Sequence, residues 1–171
     1  MKIFRPNRYI RYGMRSARDR LEKKLNFLKK DRESIMEKNY RYELTALYGD
    51  PVDENPVGVM MEAGYQELGL NYRYLNMHVK EEKLEDAVKA IRALGIKGVN
   101  LTIPHKVKAI PMLDELSEAA EIIGAVNVIV NHDGVLRGEN TDGEGFMIAL
   151  EKAGVTVKGK KVFMLGAGGA A

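Results

Sequence analysis

Between Tyr40 and Gly154, short strand-like segments alternate with helix-like ones, and that alternation constrains the fold more than any other feature of the chain. Residues 42–48, 72–79, 98–103, 126–131 and 135–139 read as strands, each rich in apolar or β-branched side chains and bounded by turn residues. Asp133-Gly134 between the last two is a hairpin signal. Residues 57–68 and 81–94 carry helical periodicity and stop at Gly69 and Gly95. Residues 105–116 and 117–123 read as two short helices, with Pro111 kinking or breaking the first, and 141–153 as a longer one. Strands separated by such helices imply an α/β fold, with a mixed, mainly parallel sheet covered by helices on both faces.

Charge divides the chain differently. Residues 1–42 hold 14 Lys and Arg against 5 Asp and Glu, whereas the remainder holds 13 against 19. The basic segment has apolar residues at Met14, Leu21, Leu25, Leu28, Ile35 and Met36, which make one stripe on an amphipathic helix. Such an arm suits a solvated helix laid over a domain, a self-association face that would give a homodimer, or a contact to nucleic acid or acidic membrane. Glu22, Asp31, Glu33 and Glu37 argue against an organellar presequence. The expected organisation is a basic arm over 1–39, an α/β domain over 40–140, and a linking helix with the start of a second domain over 141–171.

The chain has no cysteine, which excludes disulfides and thiolate chemistry and fits a cytoplasmic location. No apolar run approaches the roughly 18 residues of a membrane span. Among His78, His105 and His132 no spacing suggests a metal site, so no metal is expected.

Two helix starts carry candidate chemistry. Alternation along residues 98–103 puts Asn100 and Thr102 on one face at the strand's C-terminal end, where open α/β sheets bind ligands. Pro104 suits the first turn of the next helix, which places Lys106 in that turn. A cation there opposes the helix dipole, which would lower its proton affinity and suit it to proton exchange. The plainer reading is a lysine that swings into solvent. At the second start, Thr141 and Glu144 fit a capping box, with Asp142 as the first helical residue. Asp142 is then either a stabilising acid or the partner that orients Lys106.

Residues 160–165 (KVFML after Lys160) read as a buried strand, followed by Gly166-Ala167-Gly168-Gly169-Ala170-Ala171. Strand followed by G-x-G-x-x-A opens a dinucleotide-binding unit, with Gly166, Gly168, Gly169 and Ala170 approaching a pyrophosphate. The helix that should follow and the residue that distinguishes NAD from NADP are not in the sequence. The expectation is a fragment of a longer nucleotide-binding protein, unable on its own to bind a dinucleotide in the usual way. The alternative is a non-catalytic binding or interaction protein.

Four motifs together, GVNLTIPHK at 98–106, IGAVN at 123–127, LRGENTDGEGF at 136–146 and KGKKVFMLGAGGAA at 158–171, make residues 49–171 resemble the shikimate dehydrogenase and quinate/shikimate dehydrogenase family. The resemblance implies a substrate domain followed by an NADP-binding Rossmann domain, with NAD as the cofactor alternative. It implies Lys106 as catalytic lysine, Asp142 as its carboxylate partner, and Asn100, Thr102 and Asn127 as ligands of the ring hydroxyls. The implied reaction is reversible reduction of 3-dehydroshikimate, or a related cyclic keto acid, to the alcohol.

One segment departs from the family pattern G-x-P-V-x-H-S-x-S-P, whose serines hold the substrate carboxylate. Here Asn55 and Val57 stand at the serine positions and Glu54 at the histidine, next to Asp53. Asn55 still offers an amide donor. A substrate lacking the carboxylate, or bearing a neutral or cationic group there, fits these residues better. Val128 also replaces the family's usual Thr after the site asparagine.

Overall fold

Thr45 to Gly49 are buried on both faces of an inner strand of the sheet, and this explains why helices flank it. The computed structural model describes residues 41–166, 168 and 169. The basic arm expected over 1–39, with its self-association and nucleic-acid readings, lies outside the described residues, as does Ala170.

The elements are β1 (Glu43–Gly49), α1 (Val57–Glu67), β2 (Tyr72–His78), α2 (Leu84–Leu94) after a single 3-10 turn, β3 (Gly98–Leu101), α3 (His105–Lys108), β4 (Glu115–Leu116), α4 (Glu118–Ile123), β5 (Val128–His132), β6 (Val135–Glu139) and α5 (Asp142–Lys152). The six strands form one sheet in the order β2-β1-β3-β5-β6-β4. β1 pairs parallel with β2 and β3, and β4 parallel with β6, while β5 runs antiparallel to β3 and β6. The sheet is mixed and mainly parallel, as expected.

Side-chain alternation on β1 assigns the helices to faces. Ala46 and Tyr48 join Leu84, Val88 and Ile91 of α2 in the main core, together with Val99, Leu101, Ile129 and Leu136. Leu47 belongs to the opposite cluster, with Val52, Tyr74 and Tyr65 of α1. Thr45 Oγ1 and the Tyr65 hydroxyl are 2.7 Å apart on that second face. The α2 residues recur at spacings of four and three, and burying each contributes about 1.5–3 kcal/mol. Gly95, at φ 65°, stops this helix as expected.

The β5–β6 hairpin turns through Asp133 and Gly134, both at positive φ, and Asn131 Oδ1 accepts from Gly134 N at 2.7 Å. That is the two-residue turn the sequence signals.

Two expectations fail. The helix read over 105–116 is a single α turn, then a 3-10 turn containing Pro111, then the strand β4. Pro111 cannot donate a backbone hydrogen bond to continue the helix, and Glu115 and Leu116 instead pair with Arg137 and Gly138. The strand read over 160–165 is also absent, and Val162, Phe163, Met164 and Leu165 are exposed. A strand exists through its ladder, and no described strand lies beside this segment.

Candidate active site

β1 and β3 run parallel, so the loops that follow them emerge at the same end of the sheet. Asp50 N donates to Ile103 O at 2.9 Å and Thr102 N to Tyr48 O at 3.0 Å, so the two loop starts are stitched together. A Cβ at Gly49 would collide with the Thr102 methyl and lie 3.1 Å from Val52 Cγ1. Only a glycine permits that approach.

Register places Asn100 beside Leu47, on the α1 side of the sheet. There the buried Tyr74 hydroxyl donates to Asn100 Oδ1 at 2.8 Å. Burial, and then the neighbouring Tyr65, push the Tyr74 phenol well above its usual range, so it remains a donor. With Oδ1 occupied, Asn100 has its Nδ2 hydrogens to offer a ligand. Thr102 lies one alternation further on, half-buried.

Pro104 precedes α3, and Lys106 is the second residue of its single turn. A four-residue turn builds little macrodipole, so the expected opposition of dipole and cation is weak. Asp142 Oδ2 lies 2.5 Å from Lys106 Nζ. The Lys106 side chain is only 16% exposed, so it does not swing into solvent. Lys108 turns to Glu81 instead.

The hairpin brings Asp142 to Lys106. Asn127 precedes β5 and residues 140–142 follow β6, and the pairing of Val128 with Glu139 sets them side by side. Asn127 Nδ2 donates to Asp142 Oδ1 at 2.7 Å and to Thr141 Oγ1 at 3.0 Å. Its Oδ1 accepts from Thr141 N at 2.9 Å. The amide that the sequence offers as a ligand of substrate is engaged in holding the carboxylate.

The capping box does not form. Thr141 makes no side-chain cap, because its hydroxyl meets Asn127. Asn140 Oδ1 accepts from Asp142 N at 3.1 Å and so takes over part of the cap, while its Nδ2 donates to Ala125 O at 2.9 Å.

Asn55 stands apart from this cluster. Its Oδ1 accepts from Val57 N at 3.1 Å at the start of α1, and its carbonyl accepts from Asn76 Nδ2 at 2.9 Å. No hydrogen bond joins Asn55 to Asn100, Thr102 or Lys106; its loop is tied to the turn after β3 through Asp50 N and Ile103 O.

Three contributors are not evident from the sequence. Tyr74 fixes Asn100, and the buried Asn140 fixes the start of α5. His105, fully buried, donates from Nε2 to Val79 O at 2.7 Å and so pins the residue before Lys106. Tyr74 had a weak sequence signal, as an inward position on β2 by alternation.

Gly168 and Gly169 lie beside Lys106, lining a cavity of about 330 Å³ with Ile103, Pro104 and Val107. A Cβ at Gly169 would come within 3.0 Å of Val107 Cγ2, and Gly166 has φ 103°. The glycines thus set open backbone beside Lys106, and no helix follows them among the described residues. Among the described residues no cluster of His, Cys, Asp and Glu could hold a metal.

Residues 47–129 match the shikimate dehydrogenase substrate binding domain. The NADP(+)-dependent shikimate dehydrogenase of Alkaliphilus metalliredigens is 46% identical over 127 residues, covering 74% of this chain and 44% of that protein. The crystal structure of Listeria monocytogenes shikimate 5-dehydrogenase, in complex with shikimate and NAD, superposes with a TM-score of 0.72 at 42% identity, over 78% of this chain and 46% of that one. A ligand-free 5-ketofructose reductase from Gluconobacter gives a TM-score of 0.65 at 43% identity, over 67% of this chain and 41% of that one. The chain thus spans a little under half the length of the curated relatives it matches. Its motifs and its mixed sheet agree with these likenesses: residues 47–129 form a substrate binding domain of the shikimate dehydrogenase family.

Proposed function

We propose that this chain supplies the substrate half of an NADP-dependent dehydrogenase that interconverts a polyhydroxylated ketone and its alcohol. The observation that carries this reading is the Lys106–Asp142 pair, half enclosed at the C-terminal end of β3 next to Asn100 and Thr102. Reduction of a carbonyl carbon leaves negative charge on its oxygen. An ammonium held by a carboxylate stabilises that oxygen and donates the proton it needs. In the reverse direction the Lys106 amine, once it has lost that proton, accepts the hydroxyl proton.

Asp142 and Asn127 serve this step by orientation, and Asn100 and Thr102 by hydrogen bonds to ring hydroxyls. NADPH, when bound, would supply the hydride and NADP+ would accept it in the reverse direction, with Gly166, Gly168, Gly169 and Ala170 holding the phosphates. NAD is the alternative cofactor. Domain limits of 40–140 for the substrate domain and 141–171 for the linking helix and glycine loop go with this reading, as does a cytoplasmic location. Among the described residues no helix is long and apolar enough to cross a membrane.

The relatives support a cyclic keto acid of the 3-dehydroshikimate type. The 43% identity to a reductase named for a ketose supports a wider class, polyhydroxylated carbonyl compounds in general. Alone, the chain would bind such ligands without turning them over.

The test is a chimera in which this chain is joined, through its glycine loop, to the cofactor half of the Listeria enzyme. The expected result is NADPH formation from a cyclic polyol. A folded chimera inactive on shikimate, quinate and neutral polyols alike would overturn the proposal.

A further inference from the structure

We infer that the substrate of this cleft is an uncharged polyhydroxylated carbonyl compound and that Asp53 and Glu54 make it so; the inference rests on the reading of the cleft as a polyol site. The loop carrying both residues runs from Asp50 to Pro56. It is tied to the turn after β3 by Asp50 N to Ile103 O, and to β2 by Asn76 Nδ2, which donates to Val52 O at 3.2 Å and to Asn55 O at 2.9 Å. The loop therefore lies at the same end of the sheet as Asn100, Thr102 and Lys106.

The charges there are unbalanced. Lys106 is neutralised by Asp142, Lys108 by Glu81, and Asp50 is engaged by His78 Nε2 at 2.7 Å. Asp53 and Glu54 are exposed and have no ion-pair partner among the described residues. A carboxylate approaching this end of the sheet meets these two anions, and of the lysines that follow β1, β2 and β3 only Lys80 stands outside an ion pair. Like charges near a protein surface repel through an effective dielectric well below that of water, so the penalty is felt across the cleft.

What the cleft does offer is uncharged. Asn100 presents Nδ2 hydrogens because Tyr74 holds its Oδ1, while Asn55, on the neighbouring loop, has its Oδ1 held by Val57 N. Thr102 contributes a hydroxyl. Amide and hydroxyl donors recognise hydroxyl and carbonyl oxygens. Neither the two serine hydroxyls that hold a carboxylate in the family pattern nor an unpaired cation is in this set.

Three ligands of one shape separate charge from fit: shikimate, its neutral primary amide and its cationic aminoethyl amide. The full chain, labelled with 15N, is titrated with each, and the signals of Asn100, Thr102 and Lys106 are followed. The neutral amide should bind at least fivefold more tightly than the acid, about 1 kcal/mol. The exposed double variant Asp53→Asn/Glu54→Gln should close that gap to less than about twofold without weakening the amide. Equal or tighter binding of the acid by the unmodified chain overturns the inference, and so does a gap that survives in the double variant. Tightest binding by the cationic derivative replaces the neutral class with a cationic one. If none of the three moves these signals, the polyol-cleft reading falls first, and this inference with it.

Discussion

Asn127 and Asp142 come from opposite ends of the β5–β6 hairpin, and the 2.7 Å bond between Asn127 Nδ2 and Asp142 Oδ1 fixes the carboxylate that Lys106 grips at its other oxygen. One carboxylate is thus held by two side chains from separate segments, with Thr141 closing the ring onto Asn127. This arrangement costs the chain a capping box and gives Lys106 a partner in a set place.

Replacing Asn127 by alanine should therefore act on stability and chemistry together. The Thr141 N–H and Asp142 Oδ1 lose a partner, which costs about 1–3 kcal/mol. Asn127→Asp should be worse, because it puts a second carboxylate against Asp142. Urea unfolding of both variants checks the order, and an aspartate as stable as the parent would count against the geometry.

Tyr74→Phe removes the donor that orients Asn100. The expected stability loss is small, about 0.5–1.5 kcal/mol. Polyol affinity should fall several-fold, because the Asn100 amide is freed to turn. Side-chain amide NMR of Asn100 reads the change directly. An unaltered signal with unaltered affinity would show that Tyr74 is mere packing.

Gly49→Ala places a methyl group where the Thr102 methyl sits. The strands are fixed on both sides by pairing, so the strain should cost about 1–3 kcal/mol and displace Thr102 from the cleft. Thermal unfolding and ligand titration measure the two effects.

Asp114 gives a pH dependence with a definite sign. The Leu136 backbone N–H, then Arg92, hold its carboxyl below the ordinary value of 3.8. A carboxyl lowered on folding favours the folded state fully above that value and loses its contribution as pH falls through the lower, folded value. Asp114→Asn should destabilise the chain at pH 6 and flatten its decline towards pH 3. Parallel declines in the two proteins would contradict the assignment.

Much of the site was legible because it depends on local rules. Alternation aimed Asn100 and Thr102, the hairpin was announced by Asp133-Gly134, and the motifs named Lys106 and Asp142 before any contact was known. What stayed hidden depends on tertiary pairing. β4 is two residues long and exists only through Arg137 and Gly138, while the pattern around it reads as helix. Thr141 and Glu144 satisfy a cap rule, yet the hydroxyl is worth more to Asn127, which only the folded hairpin brings near. Residues 160–165 have strand composition, but composition supplies no neighbour to pair with.

The proton-transfer role of Lys106 is the centre of the account, and its direct test is the rate of polyol oxidation by the chimera with and without that amine. Lys106→Ala should lower kcat by roughly 10²–10⁴-fold, the range for removal of a general acid–base group, with the circular dichroism spectrum unchanged. A folded Lys106→Ala chimera that keeps its kcat would contradict the account.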